Sequence, residues 1–183
     1  PTDSFTDEEL LQTRQVYTVA MIEGGGLRLN AIPPALLSKI NNVPELITES
    51  KSHNDISQLL TEIGFDHENE VSPFIVDEGG QTVFSGWEDF WSIDIATLKG
   101  MIAIEFDGPY HYLSGGTGRN QNGKTKMKAR MLTNLGWRVV NIPWYEWAEV
   151  NKGLSWKPKQ IEYLKSMLSQ VEGKVFVMKK TRV

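Results

Sequence analysis

The apolar run at residues 101–106 constrains the fold of this chain more than any other feature. An apolar run of this length is typical of a single buried strand. Glu105 and Asp107 are two residues apart, so the alternation of side chains along a strand puts both carboxylates on one face. Gly108-Pro109 then ends the strand, and His111 follows directly. The sequence therefore predicts a central strand that carries two acidic side chains near its carboxyl end.

A second apolar segment, residues 92–97, precedes this strand and contains Asp94. The short connection at residues 98–100 predicts a hairpin, which would bring Asp94 beside Glu105 and Asp107. Two interpretations of this acidic cluster are open. Carboxylates are the ligands that Mg²⁺ prefers, and bound Mg²⁺ neutralises charge on phosphate. Alternatively, the three carboxylates cap turns or pair with Lys and Arg side chains.

The segment after the central strand predicts a crossover connection. Residues 114–123 are rich in glycine and small polar residues, which indicates a loop. Residues 124–135 show helical periodicity and are followed by Gly136, which is favoured after the last turn of a helix. Residues 137–142 predict another strand, and a helix between two strands favours their parallel arrangement.

Three aromatic residues lie just beyond that last strand. Either they stack on unpaired bases or they close the core, and packing in the core is the favoured interpretation. They are Trp144, Tyr145 and Trp147.

The first 50 residues predict a helical extension. Thr6 is a suitable N-cap, and Glu9 is placed three residues later for a capping box. A second helix is expected to start at Ile32-Pro33-Pro34 and to run to residue 40, and residues 56–63 show the spacing of another. Further strands are expected at residues 70–76, 81–84 and 174–178. We therefore divide the chain into an extension, residues 1–50, and a domain, residues 51–183.

The charge of the chain is divided unevenly along its length. Residues 1–107 contain five basic and nineteen acidic residues, a net charge of −14, whereas residues 108–183 contain fourteen basic and four acidic residues, a net charge of +10. Residues 108–145 contain no acidic residue at all. The basic half either meets phosphate or pairs with the acidic half of its own chain, and both interpretations are open. The chain has no cysteine, which excludes disulfides and thiolate metal sites.

Four segments of the sequence, in this order and spacing, resemble the RAP domain, a module of organellar proteins in RNA metabolism. The resemblance covers about residues 71–168. The segments are Ile104-Glu-Phe-Asp-Gly-Pro-Tyr-His111, Lys124-Thr-Lys-Met-Lys-Ala-Arg130, Leu135-Gly-Trp-Arg-Val-Val-Asn-Ile-Pro-Trp-Tyr-Glu-Trp147 and Gln160-Ile-Glu-Tyr-Leu164.

The RAP domain is in turn similar to restriction-endonuclease-like nucleases of the PD-(D/E)xK type, closest to the very-short-patch repair group. This resemblance implies an α/β fold, with a mixed sheet flanked by helices and preceded by the helical extension. It also implies catalytic and metal-binding roles for Asp94, Glu105 and Asp107, with Mg²⁺ as the cofactor of an active enzyme. Position 107, where the nuclease motif has Lys, holds Asp, so His111 is the candidate to assist as base or ligand.

The function implied by the resemblance is RNA binding in an organellar RNA-processing or ribonucleoprotein factor, with a degenerate nuclease-like site. Two alternatives are open: a structural subunit of a large assembly such as a mitochondrial ribosome, and a metal-dependent ribonuclease. The expected location is the mitochondrion, with the plastid as the alternative, and the acidic half is expected to contact other proteins of the complex. The expected phosphate-binding residues are Arg119, Lys124, Lys126, Lys128, Arg130 and Arg138.

Overall fold

The computed structural model of the chain describes residues 5–23, 33–43, 51–73, 92–114, 118–153 and 155–172. Six helices and four strands occur in this part, in the order α1 (Asp7–Ile22), α2 (Pro34–Asn42), α3 (Lys51–Glu62), β1 (Glu68–Val71), β2 (Ile93–Thr97), β3 (Ile102–Asp107), α4 (Gly123–Asn134), β4 (Arg138–Pro143), α5 (Trp144–Val150) and α6 (Trp156–Glu172). A short 3₁₀ turn, Pro109–His111, follows β3.

The four strands form one mixed sheet in the order β1-β2-β3-β4. Strands β2 and β3 are antiparallel and form the predicted hairpin, with Ile95 opposite Ile104. Strands β3 and β4 are parallel, with Ile104 opposite Val140, because α4 carries the chain back across the sheet between them. The predicted mixed α/β class is confirmed, whereas the relationship to restriction endonucleases stays a prediction.

The two faces of the sheet differ in polarity. One face packs against α3, α5 and α6 through a buried apolar cluster that includes Ile95, Ile104 and Ile142. The other face lies under α4, where Leu132 packs with Ala103 and Trp137. Because Glu105 and Asp107 alternate with Ile104 and Phe106 along β3, they share the face of Ala103, under α4. The structure therefore places the acidic side chains of β3 beneath a helix rich in lysine.

Helix α1 begins as predicted and packs against α4, and α2 begins at Pro34. Thr6 and Glu9 form a capping box, in which the Glu9 carboxylate accepts from the Thr6 N–H at 2.8 Å and the Thr6 hydroxyl accepts from the Glu9 N–H at 3.3 Å. Helices α1 and α2 share a small apolar core that includes Tyr17 and Ile40. Met131 of α4 packs on residues of α1, so the extension contacts the domain. The boundary between residues 50 and 51 stays a prediction.

Two elements differ from the prediction. Strand β1 covers Glu68–Val71, so it includes only the first two residues of the strand expected at residues 70–76; Ser72 and Pro73 lie outside the strand, and residues 74–76 lie outside the described residues. Helix α5 covers residues 144–150. The sequence predicts aromatic packing at this position but no helix. The expected strands at residues 81–84 and 174–178 lie outside the described residues. Among the described helices, none combines the length and the apolar character that crossing a bilayer requires.

Candidate functional site

The β2–β3 hairpin brings Asp94 and Glu105 together, as the sequence predicts. The paired residues Ile95 and Ile104 define the register, which puts Asp94 opposite Glu105 one position further on. One oxygen of the Asp94 carboxylate accepts a hydrogen bond from the backbone N–H of Phe106 at 2.8 Å. This hydrogen bond fixes Asp94 against the central strand.

Lys128 of α4 completes this group. Its Nζ lies 2.5 Å from Oε2 of Glu105 and 3.9 Å from Oδ1 of Asp94. Lys128, expected to bind phosphate, is thus paired with carboxylates of its own chain, and its contact with phosphate stays a prediction. Residue 128 is one turn before the fully buried Leu132, so its aliphatic stem follows the inward face of the helix and its ammonium reaches the carboxylates.

Burial and charge act in opposite directions on this ion pair. Burial raises the pKa of Glu105 to about 8, an effect that the nearby Lys128 ammonium opposes and the Asp94 charge reinforces. Burial also lowers the pKa of Lys128, but the carboxylates of Glu105 and Asp94 outweigh this effect, and its net shift is upward. Oε1 of Glu105 is buried and has no hydrogen-bond partner among the described residues. This carboxyl group therefore retains capacity for another donor or a cation.

Asp107 belongs to a separate network at the end of β3. Its side chain is almost fully buried and accepts three hydrogen bonds: from Nδ1 of His111 at 3.0 Å, from Nε2 of Gln121 at 2.7 Å and from Nδ2 of Asn141 at 3.0 Å. Because a carboxylate only accepts, His111 donates from Nδ1, and Nε2 of the neutral ring is left as an acceptor. His111 therefore lies against Asp107, while its predicted role as a base or ligand stays a prediction.

The three predicted metal ligands therefore divide into a pair, Asp94 and Glu105, and a separate Asp107. In the part of the chain that the structure describes, no group of three or more His, Cys, Asp or Glu side chains is arranged to hold a metal ion. A magnesium ion that acts on phosphate commonly uses only one or two carboxylates together with water and phosphate oxygens. Asp94 and Glu105, with the unpartnered Oε1, fit such an ion, whereas Asp107 does not.

Sequence reasoning missed two further titratable residues near this group. Nδ1 of the buried His53 on α3 lies 3.4 Å from Oε1 of Glu70 on β1. Glu70 has a positive φ of 51°, which is unusual for a residue with a side chain, and its charge contributes to the raised pKa of Lys128. The alternation of β1 alone does not predict this conformation, so no sequence signal pointed to the contact.

Two of the predicted phosphate-binding residues have hydrogen-bond or ion-pair partners within the protein. Arg130 forms an ion pair with Glu23, with 2.5 Å between Nε and Oε1. Arg138 donates from Nε to the carbonyl of Gly100 at 2.9 Å and from Nη1 to the carbonyl of Val171 at 2.6 Å. Its guanidinium therefore links the β2–β3 turn to the end of α6.

Three of the predicted cations remain accessible. Lys124 and Lys126, in the first half of α4, are exposed and have no ion-pair partner among the described residues. Arg119 is also exposed and lies over the ring of Tyr145, with 5.0 Å between Cζ and the ring centroid. Of the predicted phosphate-binding residues, these three are available to an external anion.

The internal-pairing interpretation of the charge division is correct for part of the basic half, and the phosphate interpretation stays open. Lys128, Arg130 and Lys157 of the basic half pair with Glu105, Glu23 and Glu62 of the acidic half. Lys124 and Lys126 make no such pair within the described ranges. Internal pairing therefore neutralises part of the basic half, and the start of α4 keeps its charge.

The residues beyond β3 and β4 form what we name the strand-end surface: Tyr110, Leu113, Arg119, Trp144 and Tyr145. Asp107 and Pro143 are paired at the ends of these parallel strands, so the segments that follow emerge at one edge of the sheet. Tyr110 and Leu113 are 95% and 53% exposed, and Trp144 is 36% exposed. Trp147 is instead buried in the main core, as the packing interpretation predicted for it.

Part of the chain matches a known protein family. The family model of the RAP domain matches residues 104–167, which contain Glu105, Asp107, Lys128 and the strand-end surface. The predicted RAP domain is thereby confirmed for this segment.

Proposed function

We propose that this chain, whose residues 104–167 are a RAP domain, is an RNA-binding module that holds the phosphate backbone at the start of α4. The observation that carries the proposal is the position of Lys124 and Lys126. Both are exposed and unpaired within the described part of a RAP domain, in a segment without acidic residues.

The local electrostatics support this assignment. Lys124 and Lys126 lie in the first turn and a half of α4, a helix of 12 residues whose amino end carries a partial positive charge. Asn122 caps the helix by accepting from the N–H of Thr125 at 2.9 Å. Backbone dipole and side-chain charge therefore have the same sign at this end, which favours a phosphate group.

The test is a charge reversal with a matched control. Lys124→Glu combined with Lys126→Glu is compared with Lys159→Glu combined with Lys165→Glu on α6, which changes the net charge equally at two other exposed lysines. RNA affinity is measured by fluorescence anisotropy over a range of salt concentrations. We expect the α4 variant to bind about 10- to 100-fold more weakly and to lose about one to two units of the salt slope, because each lost phosphate contact removes about 0.7 to 0.9. Equal effects of both variants, or none, would contradict the proposal.

A second candidate function, hydrolysis of RNA, is favoured by one observation. The amine that a nuclease-like site requires is absent from position 107, but Lys128 supplies one beside Asp94 and Glu105. In such a reaction water attacks phosphorus while the bond from phosphorus to the leaving oxygen breaks. A bound Mg²⁺ ion would supply an activated water and neutralise phosphate charge. Within this chain, Asp94 and Glu105 would hold that ion, and Lys128 would hydrogen-bond the attacking water or the phosphate.

Hydrolysis is tested separately from binding. We expect Mg²⁺ or Mn²⁺ to raise the melting temperature of the wild-type protein but not that of Asp94→Asn with Glu105→Gln, because the ion stabilises the state that binds it. Cleavage of RNA should require the metal and disappear in Lys128→Met. Absence of both the thermal shift and cleavage would leave RNA binding as the function.

The organellar setting belongs to the same proposal. The resemblance to the RAP domain supports the mitochondrion first and the plastid second. Imaging of the tagged full-length protein tests the location. Sedimentation with a ribosomal subunit in high salt distinguishes an assembly subunit from a free RNA-binding factor.

A further inference from the structure

An aromatic side chain is presented to solvent by an ordered turn at the strand-end surface. The Tyr110 side chain is 95% exposed, yet the backbone around it is fixed. The Tyr110 carbonyl accepts from Nδ2 of Asn122 at 2.8 Å, and the 3₁₀ turn is closed by a bond of 3.0 Å from the His111 N–H to the Gly108 carbonyl. The ring thus extends from a rigid support, although the fold buries almost none of it.

A second exposed ring at the same edge, the indole of Trp144, packs against another aromatic side chain. Trp144 meets Tyr145 edge-on, with 6.0 Å between ring centroids and an interplanar angle of 85°. Tyr145 in turn meets the buried Tyr112 edge-on at 5.6 Å. These contacts pack one side of the indole and leave about a third of Trp144 open to solvent.

Cationic groups accompany both rings. The Arg119 guanidinium lies over the ring of Tyr145, the residue that follows Trp144 in the sequence. Lys124 lies two residues after Asn122, the residue that holds the turn of Tyr110. One cation therefore lies against the ring that supports Trp144, and another follows closely in sequence the residue that holds the turn of Tyr110.

We propose, resting on the RNA-binding function above, that the strand-end surface takes single-stranded RNA, with unpaired bases stacking on Tyr110 and Trp144. Every base has a flat face that stacks on an aromatic ring, and the neighbouring cations hold the phosphates between successive bases. A duplex offers no such contact, because its bases are already stacked on each other and its deep groove is too narrow for side chains. The surface therefore selects unpaired RNA.

The experiment uses the full chain and two labelled RNA probes of equal length, one an unstructured single strand and one a duplex. Tyr110→Ala and Trp144→Ala are compared with Tyr110→Phe, which keeps the ring, and with Trp156→Ala, which removes a similarly exposed indole on α6. We expect each of the first two to weaken single-strand binding about tenfold with an unchanged salt slope, because each removes stacking rather than charge. Both controls should bind as the wild type does.

The outcomes separate this inference from the proposed function. Weakening of single-strand binding alone supports the inference. If Tyr110→Ala and Trp144→Ala bind RNA with wild-type affinity while the Lys124 and Lys126 variant binds more weakly, the stacking surface is overturned and RNA binding is retained. The exposed rings would then contact a protein partner. Equal affinity of the wild-type protein for both probes also overturns the stacking surface. Failure to bind either probe overturns both proposals.

Discussion

Replacing Lys128 with Met should destabilise the protein through Glu105. The substitution keeps the apolar stem but removes the ammonium that lies 2.5 Å from a carboxylate with only about 5% of its side chain exposed. Loss of one partner from a fully buried ion pair costs about 3–5 kcal/mol. Lys128 is 24% exposed, and Glu105 can avoid the cost by taking up a proton, so we expect about 2 kcal/mol near neutral pH. For a chain of this size that corresponds to a decrease of about 4–8 °C in melting temperature.

The loss should depend on pH, with a sign that follows from the pKa of Glu105. Burial raises that pKa from 4.5 to about 8, so between these values the folded chain binds a proton that the unfolded chain does not. Stability from this group is therefore present at low pH and lost as pH rises through about 8. Without Lys128 the charged form of Glu105 destabilises the folded state even more. The difference in unfolding free energy between wild type and Lys128→Met should therefore be larger at about pH 9 than at about pH 5.

The assay is urea unfolding across that pH range, with Lys124→Met as the matched control on the same helix. The control should change stability by less than about 0.5 kcal/mol because Lys124 is exposed and unpaired within the described residues. Adding Glu105→Gln to Lys128→Met should recover part of the loss and remove most of its pH dependence. A loss in Lys128→Met no larger than that of Lys124→Met would refute the assignment of Lys128 as the partner of Glu105.

Three other substitutions test the fold by urea unfolding. Ile104→Ala should cost about 2–5 kcal/mol, because it leaves a cavity in the main core, where Ile104 is 2% exposed. Thr6→Ala should cost about 1 kcal/mol, because it removes the hydroxyl of the capping box, and Thr6→Ser should restore most of it. Gly100→Ala should cost about 1–2 kcal/mol: φ there is +110°, and a Cβ would lie 2.6 Å from Nη2 of Arg138. No loss in Ile104→Ala, a similar loss in Thr6→Ser, or a neutral Gly100→Ala would contradict the corresponding packing, cap or turn.

The features that could be predicted from the sequence depend on local patterns. The alternation around Glu105 predicted the buried strand and its polar face, and the short turn before it predicted the hairpin. Thr6 and Glu9 predicted a helix start because a capping box involves residues three positions apart. Such signals are complete within a few residues, so distant contacts do not alter them.

The features that could not be predicted depend on distant contacts. Gln121 and Asn141 reach Asp107 from 14 and 34 residues away, and neither residue type indicates a partner by itself. Helix α5 was missed because the Pro before it suggested only the end of a strand, whereas Pro143 also occupies the N-cap position. Lys128 is an exception: its spacing of four residues from Leu132 indicates the inward face of α4, although its charge favours a position in solvent.

The limits of the RAP-domain match have a practical consequence for work with isolated fragments. The matched segment starts at residue 104, inside β3, and ends at residue 167, one residue before the buried Leu168. A protein cut at these limits would lack the hairpin partner β2, and Arg138 would lose the carbonyls of both Gly100 and Val171. The matched segment is therefore shorter than the unit that these contacts hold together, and RNA-binding experiments should use the longer unit.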